Sequence, residues 1–226
     1  MIGISIEEVD IVVISHGHYD HGGGRKTFVE ANSKDSIYQQ REAFNGHYSR
    51  QPDGTMKYKG LDPSLLPNER FVFVEDGHVI DEGLDLYSEI RRIRYNPAGN
   101  REMMMAVGEA LNNDNFTHEQ NLFITENGES VLLTGCSHSG IVNIMDQVKL
   151  QNDRQISNVI GGFHLDSRSP EKREYPSVVR GIGECLMMMD AKYYTCHCTG
   201  IEPFRILKEV MGERIAYMET GSKLIL

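Results

Sequence analysis

The 226-residue chain contains no tryptophan, and its longest apolar runs extend to only about six residues. Runs that short fall well below the roughly 20 apolar residues that a spanning helix needs. The N-terminus also lacks the basic-then-apolar pattern of a secretory leader, so a cytoplasmic location is the expectation. Cysteine is scarce: Cys136, Cys185, Cys196 and Cys198 do not make a secreted disulfide framework. Three of the four sit beside histidines, which suits a reducing compartment better. Basic charge is the third shortage, with 23 Lys and Arg against 33 Asp and Glu and a net charge of −10. An acidic surface repels phosphate backbones, and without a basic strip or tryptophan there is no base-stacking platform. Nucleic acid is therefore not an expected partner. A small anionic substrate stays open, because bound dications would dominate the local field.

What the chain does have is histidine in telling places. His16, His18, Asp20 and His21 fall within six residues, just after the apolar stretch Val9 to Ile14, which reads as a buried strand. Imidazoles and carboxylates are the ligands that borderline divalent ions prefer. His16 and His18 are two apart, so on an extended chain they share a side and can grip one ion. Asp20 and His21 lie beyond a glycine-rich turn and can reach a second.

The same grammar recurs. Short apolar strands end in Gly, Ser or Cys turns carrying His138 (after Ser130 to Thr134), His164 (after Asn158 to Gly161) and His197 (after Lys192 to Thr195). Sites in sheet-based α/β folds collect at such strand ends, where a rigid scaffold aims loop side chains. The rest reads as an ordinary frame. Glu126-Asn127-Gly128-Glu129 marks a hairpin between two strands. Helices are expected from Gly23, over Gly140 to Leu150, over Ser177 to Met189 and over Glu202 to Met211. On the third, Val178, Ile182, Cys185 and Met189 form the apolar face. Arg70 to Glu75, Val79 to Leu86, Ser88 to Ile93 and Ile215 to Glu219 read as further strands. Asn45 to Asn68 reads as loop with short elements, leaving His47 solvated, and Met103 to Gly108 as a flexible apolar run, a core or lid filler rather than a ligand set. Cys196 and Cys198 read as buried thiols rather than ligands.

Five words, Ser15 to His21, His118 to Leu122, Leu133 to Gly140, Ile160 to Leu165 and Cys196 to Gly200, together resemble the metallo-β-lactamase-fold hydrolases. Their branch resembles the 7,8-dihydropterin-6-methyl-4-(β-ribofuranosyl)-aminobenzene-5′-phosphate synthase-like proteins. The resemblance runs from about Ile4 to the C-terminus. It implies one α/β domain over residues 1–226, an αββα sandwich, with His16, His18 and His138 on one ion and Asp20, His21 and His197 on another. The ions would be zinc, with Mn2+ or Fe2+ as alternatives. Where many members carry a bridging aspartate this chain has Gly162-Phe163-His164, so His164 is expected as a second-site ligand in preference to Asp166. Asp20 is the candidate to orient or deprotonate water, and His118 and Glu119 are candidates for proton donation or substrate contact. Position 18 is histidine where oxygen-reducing di-iron relatives place glutamate, which favours hydrolysis over redox chemistry.

The resemblance thus implies a dinuclear hydrolase of a small phosphate-, phosphodiester- or ester-bearing metabolite. The alternatives are a pterin-phosphate synthase or transferase, and a catalytically weak metal-binding remnant. The last follows from the start of the chain, where fifteen residues precede His16 and relatives carry several strands. A sheet short of its N-terminal strands would expose apolar surface that a homodimer could cover.

Overall fold

A computed structural model describes residues 4–167 and 172–225. They form two compact units, one running to Asp76 and resuming over Glu102–Gln120, the other comprising Gly77–Arg101 and everything from Asn121 onward.

In the first unit, β1 (Ile11–Val13), β2 (Ser36–Gln39) and β5 (Phe71–Phe73) form a parallel sheet in the order β1-β2-β5. β1 is shorter than the apolar run suggests. It lies at the sheet edge, and Ile11 is exposed there while Ile14, just beyond the strand, is buried. After the strand come two short helices, α1 (Tyr19–Gly22) and α2 (Arg25–Ala31). Ile14, Ile37, Ala43, Leu61 and Phe71 make the core. Arg25 is buried against it, its guanidinium 4.4 Å from the Phe44 ring centre and hydrogen-bonded to Gln39 and to the Gly22 carbonyl.

A second, antiparallel sheet in this unit corrects two expectations. Residues 45–68 are loop with short elements, β3 (His47–Arg50) and β4 (Met56–Tyr58) joined through Pro52-Asp53-Gly54, but His47 is buried rather than solvated. The methionine run is a regular strand, β8 (Met103–Val107), pairing with β3 on one side and β9 (Ala110–Asn113) on the other, with Met104 and Met105 buried. Met and Ala carry weak strand preference, so it is the partners on both sides that fix the conformation.

The second unit is built on a seven-stranded sheet. From β6 (His78–Asp81) and β7 (Leu84–Tyr87) it continues through β10 (Asn121–Glu126) to β11 (Glu129–Leu133), all antiparallel. Asn127 and Gly128 both adopt positive φ, 51° and 83°, as a two-residue hairpin turn requires. From β11 the sheet turns parallel, through β12 (Asn158–Gly161), β13 (Lys192–Thr195) and β14 (Ile215–Tyr217). Ser88 to Ile93 forms no strand. The helices α3 (Ile141–Gln151), α4 (Pro176–Met187) and α5 (Ile201–Met211) supply the crossovers.

The buried side of α4 is Val179, Ile182, Gly183 and Leu186, about one residue round from the expected stripe. Gly183 explains the rotation: a Cβ there would lie 3.2 Å from Val210, so the glycine lets α5 approach closely. Parallel pairing has a direct consequence for function. Leu133 is level with Ile160, and Ile160 with Tyr194, so the loops after β11, β12 and β13 leave side by side from one sheet edge.

Leu132 lies in the middle of this sheet at 0% exposure, whereas Leu150 is 84% exposed. Leu132→Ala should cost about 2–5 kcal/mol in denaturant unfolding. Leu150→Ala should stay within about 0.5 kcal/mol of the parent chain; similar losses for both would contradict this core.

Candidate metal centre

The first unit brings the early histidines together. The rings of His16 and His18 lie 4.7 Å apart centre to centre, and those of His16 and His21 4.1 Å. Ser15 Oγ is 3.0 Å from His16 Nδ1 and 3.4 Å from His21 Nδ1. A hydroxyl can accept from an Nδ1–H, and in that tautomer Nε2 is the lone-pair nitrogen of the ring. Asp20 Oδ2 lies 3.7 Å from His21 Nε2. His18 is pushed well below the ordinary imidazole pKa, by burial first and then by repulsion from His118 and His47. It is therefore held neutral, the form that binds a cation.

Beneath this loop lies a cluster that the sequence did not announce. His47, Asp114 and His118 are all fully buried, with His47 Nδ1 3.0 Å from Asp114 Oδ2 and His118 Nε2 3.2 Å from both carboxylate oxygens. The Gly17 amide donates to His118 Nδ1 at 2.9 Å. His118 therefore accepts at Nδ1 and donates from Nε2, and both ring nitrogens are engaged. His47 Nε2 faces the Glu42 carbonyl at 3.1 Å, so both of its nitrogens meet acceptors. Burial raises the Asp114 pKa, but hydrogen bonds from His118 and His47 outweigh it and hold the carboxyl far below the usual range. Gly17 has no substitute here: a Cβ would lie 2.5 Å from His47 Nε2 and 2.7 Å from the Ala43 carbonyl. Gln120 ties the end of β1 in the same way, donating from Nε2 to the Ile14 and Tyr38 carbonyls at 2.9 Å each. Glu119, beside it, is 1% exposed.

The second unit presents the later histidines from its aligned strand ends. His138 Nδ1 lies 2.9 Å from Asn100 Oδ1, and the Asn100 amide donates to the His138 carbonyl at 2.7 Å. Only Nδ1–H satisfies the Asn100 oxygen, so Nε2 carries the lone pair. The His164 ring packs 4.2 Å from that of His138. His197 is exposed at the end of β13. Ser137, His164 and His197 adopt positive φ, 57°, 50° and 51°, one in each of the three loops. Such backbone costs on the order of 1–3 kcal/mol and clusters at functional sites. Asp166, the oxygen alternative to His164, is committed elsewhere: its Oδ1 lies 2.8 Å from Arg173 Nε and accepts the Ser167 amide.

The cysteines are not bystanders. Cys198 donates to the Cys136 carbonyl at 3.7 Å, and Cys136 Sγ, Cys198 Sγ and a His164 ring nitrogen lie within 4.8 Å of one another. Burial raises the Cys198 pKa, but the neighbouring Cys136 and His164 side chains, with His197, more than offset it and the thiol lies well below its usual value. No disulfide forms among the described residues.

The donor chemistry, imidazoles held through one ring nitrogen with a carboxylate among them, fits a divalent metal. The metallo-beta-lactamase superfamily model matches residues 1–99, which include the His16 to His21 loop. The chain has the corresponding metallo-beta-lactamase fold. It is similar to the solved structure of Tm1679, described as a metal-dependent hydrolase of the beta-lactamase superfamily, at a TM-score of 0.78 and 27% identity, over 95% of this chain and 78% of that one. Two relatives come from Methanocaldococcus jannaschii. One, described as uncharacterized, is 27% identical over 90% of this chain and 74% of its own length. The other is the 7,8-dihydropterin-6-methyl-4-(beta-D-ribofuranosyl)-aminobenzene-5'-phosphate synthase, 24% identical over 98% of this chain and 76% of its own length.

Asn100→Ala removes the acceptor that pins His138 without touching the ring. Metal affinity, measured by competition with a chelating dye, should fall about 10–100-fold. An unchanged affinity would show that Asn100 does not orient the ring.

Asp114→Asn supplies one acceptor oxygen where two imidazoles need one each. It should cost about 3–5 kcal/mol of stability in chemical unfolding, and a loss below about 1 kcal/mol would remove the cluster as a structural centre.

Proposed function

We propose that this protein is a metal-dependent hydrolase of a small phosphate-, phosphodiester- or ester-bearing metabolite, using two divalent ions, zinc ahead of manganese or iron(II). The observation that carries the reading is the pinned His138 ring, whose Nδ1 contact with Asn100 makes Nε2 the basic nitrogen. His16, His18 and His138 are assigned to one ion, and Asp20, His21, His197 and His164 to the other, with residues 1–226 acting as one domain. The Ser15 contacts to His16 and His21 support the assignment, as do the strained backbone at His164 and His197 and the matched superfamily model.

Ions held there would supply Lewis acidity, which makes water nucleophilic at neutral pH. The protein's own groups do the rest. Asp20, its side chain 43% exposed, is the carboxylate assigned to orient water and take its proton. His118 is reassigned from proton donor to positioning residue, because its Nδ1 holds Gly17, between His16 and His18, and its Nε2 donates to Asp114. No helix among the described residues is long and apolar enough to cross a membrane, and a small metabolite remains the proposed substrate class.

A second reading is group transfer on a pterin-type phosphate, favoured by the 24% identical synthase that matches 98% of this chain. Elemental analysis combined with a panel of phosphodiesters, phosphomonoesters, lactones and a pterin phosphate separates the two by product. His18→Ala should abolish turnover and lower bound metal; full activity in a metal-free His18→Ala sample would remove both readings.

A further inference from the structure

We propose that Cys136, His164 and Cys198 form a thiolate metal site, suited to zinc or iron(II), built wholly from the three strand-end loops of the second unit. The proposal rests on the reading of His164 as a metal ligand but takes that ring out of the set around the second ion, where Asp20, His21 and His197 remain, and gives it two sulfur partners instead. The three donor atoms already lie within 4.8 Å of one another. Two sulfurs about 2.3 Å from one tetrahedral ion are themselves about 3.8 Å apart, so closure requires a shift of roughly 1 Å or less.

Independent features point to a ligand here. His164 Nδ1 is buried and makes no hydrogen bond among the described residues. Leaving a buried polar atom that way is unfavourable, and an ion on the nitrogen removes the penalty. The backbone is shaped around the same three groups. Gly162 stands where a Cβ would lie 2.5 Å from Cys198 Sγ, and Gly99 where one would lie 2.9 Å from His164 Nε2. Both glycines leave room for a donor side chain. The amides of Leu165 and Asp166 donate to the Cys198 carbonyl at 3.1 and 3.2 Å, and the Gly162 amide to Gly135 at 2.8 Å. The loops carrying the three donors are thus tied to one another through backbone. With Asp166 held by Arg173, the neighbourhood offers nitrogen and sulfur in place of a bridging carboxylate.

Soft sulfur with imidazole selects zinc or iron over magnesium or calcium. On binding, each thiol releases its proton to solvent and the sulfur donates an electron pair to the ion, so uptake is accompanied by proton release. Three protein ligands leave the fourth tetrahedral position open, as in exchangeable zinc sites.

The test uses the full chain, stripped of metal and reloaded with cobalt(II) under reducing, oxygen-free conditions. The expected result is a thiolate-to-cobalt charge-transfer band in the near ultraviolet. It should persist in His18→Ala and disappear in Cys136→Ser and Cys198→Ser, with cobalt affinity at the site weakened by at least about 10–100-fold. Cobalt bound in full without any sulfur band would overturn the thiolate site while leaving the hydrolase reading, which His18→Ala tests separately. Should the serine variants fail to fold, the unmodified protein answers alone. Zinc should slow alkylation of Cys136 and Cys198, read by peptide mass mapping, and unchanged rates would overturn the proposal. A Cys136–Cys198 disulfide formed in the zinc-loaded protein as readily as in the stripped one would also overturn it.

Discussion

A carboxylate with no access to water has to be answered by donors, and in the first unit that requirement organises the loop from His16 to His21. Asp114 takes a hydrogen bond from His118 and faces His47, and His118 in turn holds the Gly17 amide between His16 and His18. Removing one member of such a buried set leaves the others uncompensated, which typically costs several kcal/mol. The glycine is part of the same constraint, since the loop packs so close to His47 that no Cβ fits. The loop is therefore held by its backbone from below, and its side chains are left to chemistry.

Four of the rings are placed by what one of their nitrogens touches. Ser15 takes Nδ1 of His16 and of His21, Asn100 takes Nδ1 of His138, and Asp114 takes Nε2 of His118. In the first three the engaged nitrogen is Nδ1. The fourth is spent at both ends and becomes a brace. Histidine count alone does not separate ligand from brace; the partner of the second nitrogen does.

Much of this was legible in the sequence, and the part that was not has a common cause. The hairpin at Asn127-Gly128, the limits of β12 and β13 and the helices α3 and α5 follow from local turn chemistry and periodicity. So does the recurrence of histidine after short strands, because a strand end and its turn are contiguous in the chain. His47, Asp114, Asn100 and Gln120 escaped because their meaning lies in contacts 38 to 106 residues away. His47 in particular read as solvated from a polar, proline- and glycine-containing neighbourhood, yet β8 pairs with β3 and places it in the interior. The methionine run misled in the same way, since strand pairing outweighed weak local preference.

In the second unit each of the three strand-end loops carries one residue of left-handed backbone, and neighbours of a different kind hold it there. Ser137, His164 and His197 hold left-handed backbone that glycine would adopt at no cost, while glycines at 135 and 162 flank them. If conformational ease had decided these positions, glycine would occupy them. A hydroxyl and two imidazoles stand there instead, and the cost is offset by fixed contacts: Ser137 Oγ donates to Thr134, the Phe163 amide to Thr199, and the Leu165 amide to Cys198. Three adjacent parallel strands ending level with one another make those ties short. The parallel register of β11, β12 and β13 is thus what allows strained side-chain-bearing residues to persist at three neighbouring loops, and a shift of one strand by a single residue would turn its loop to the opposite face.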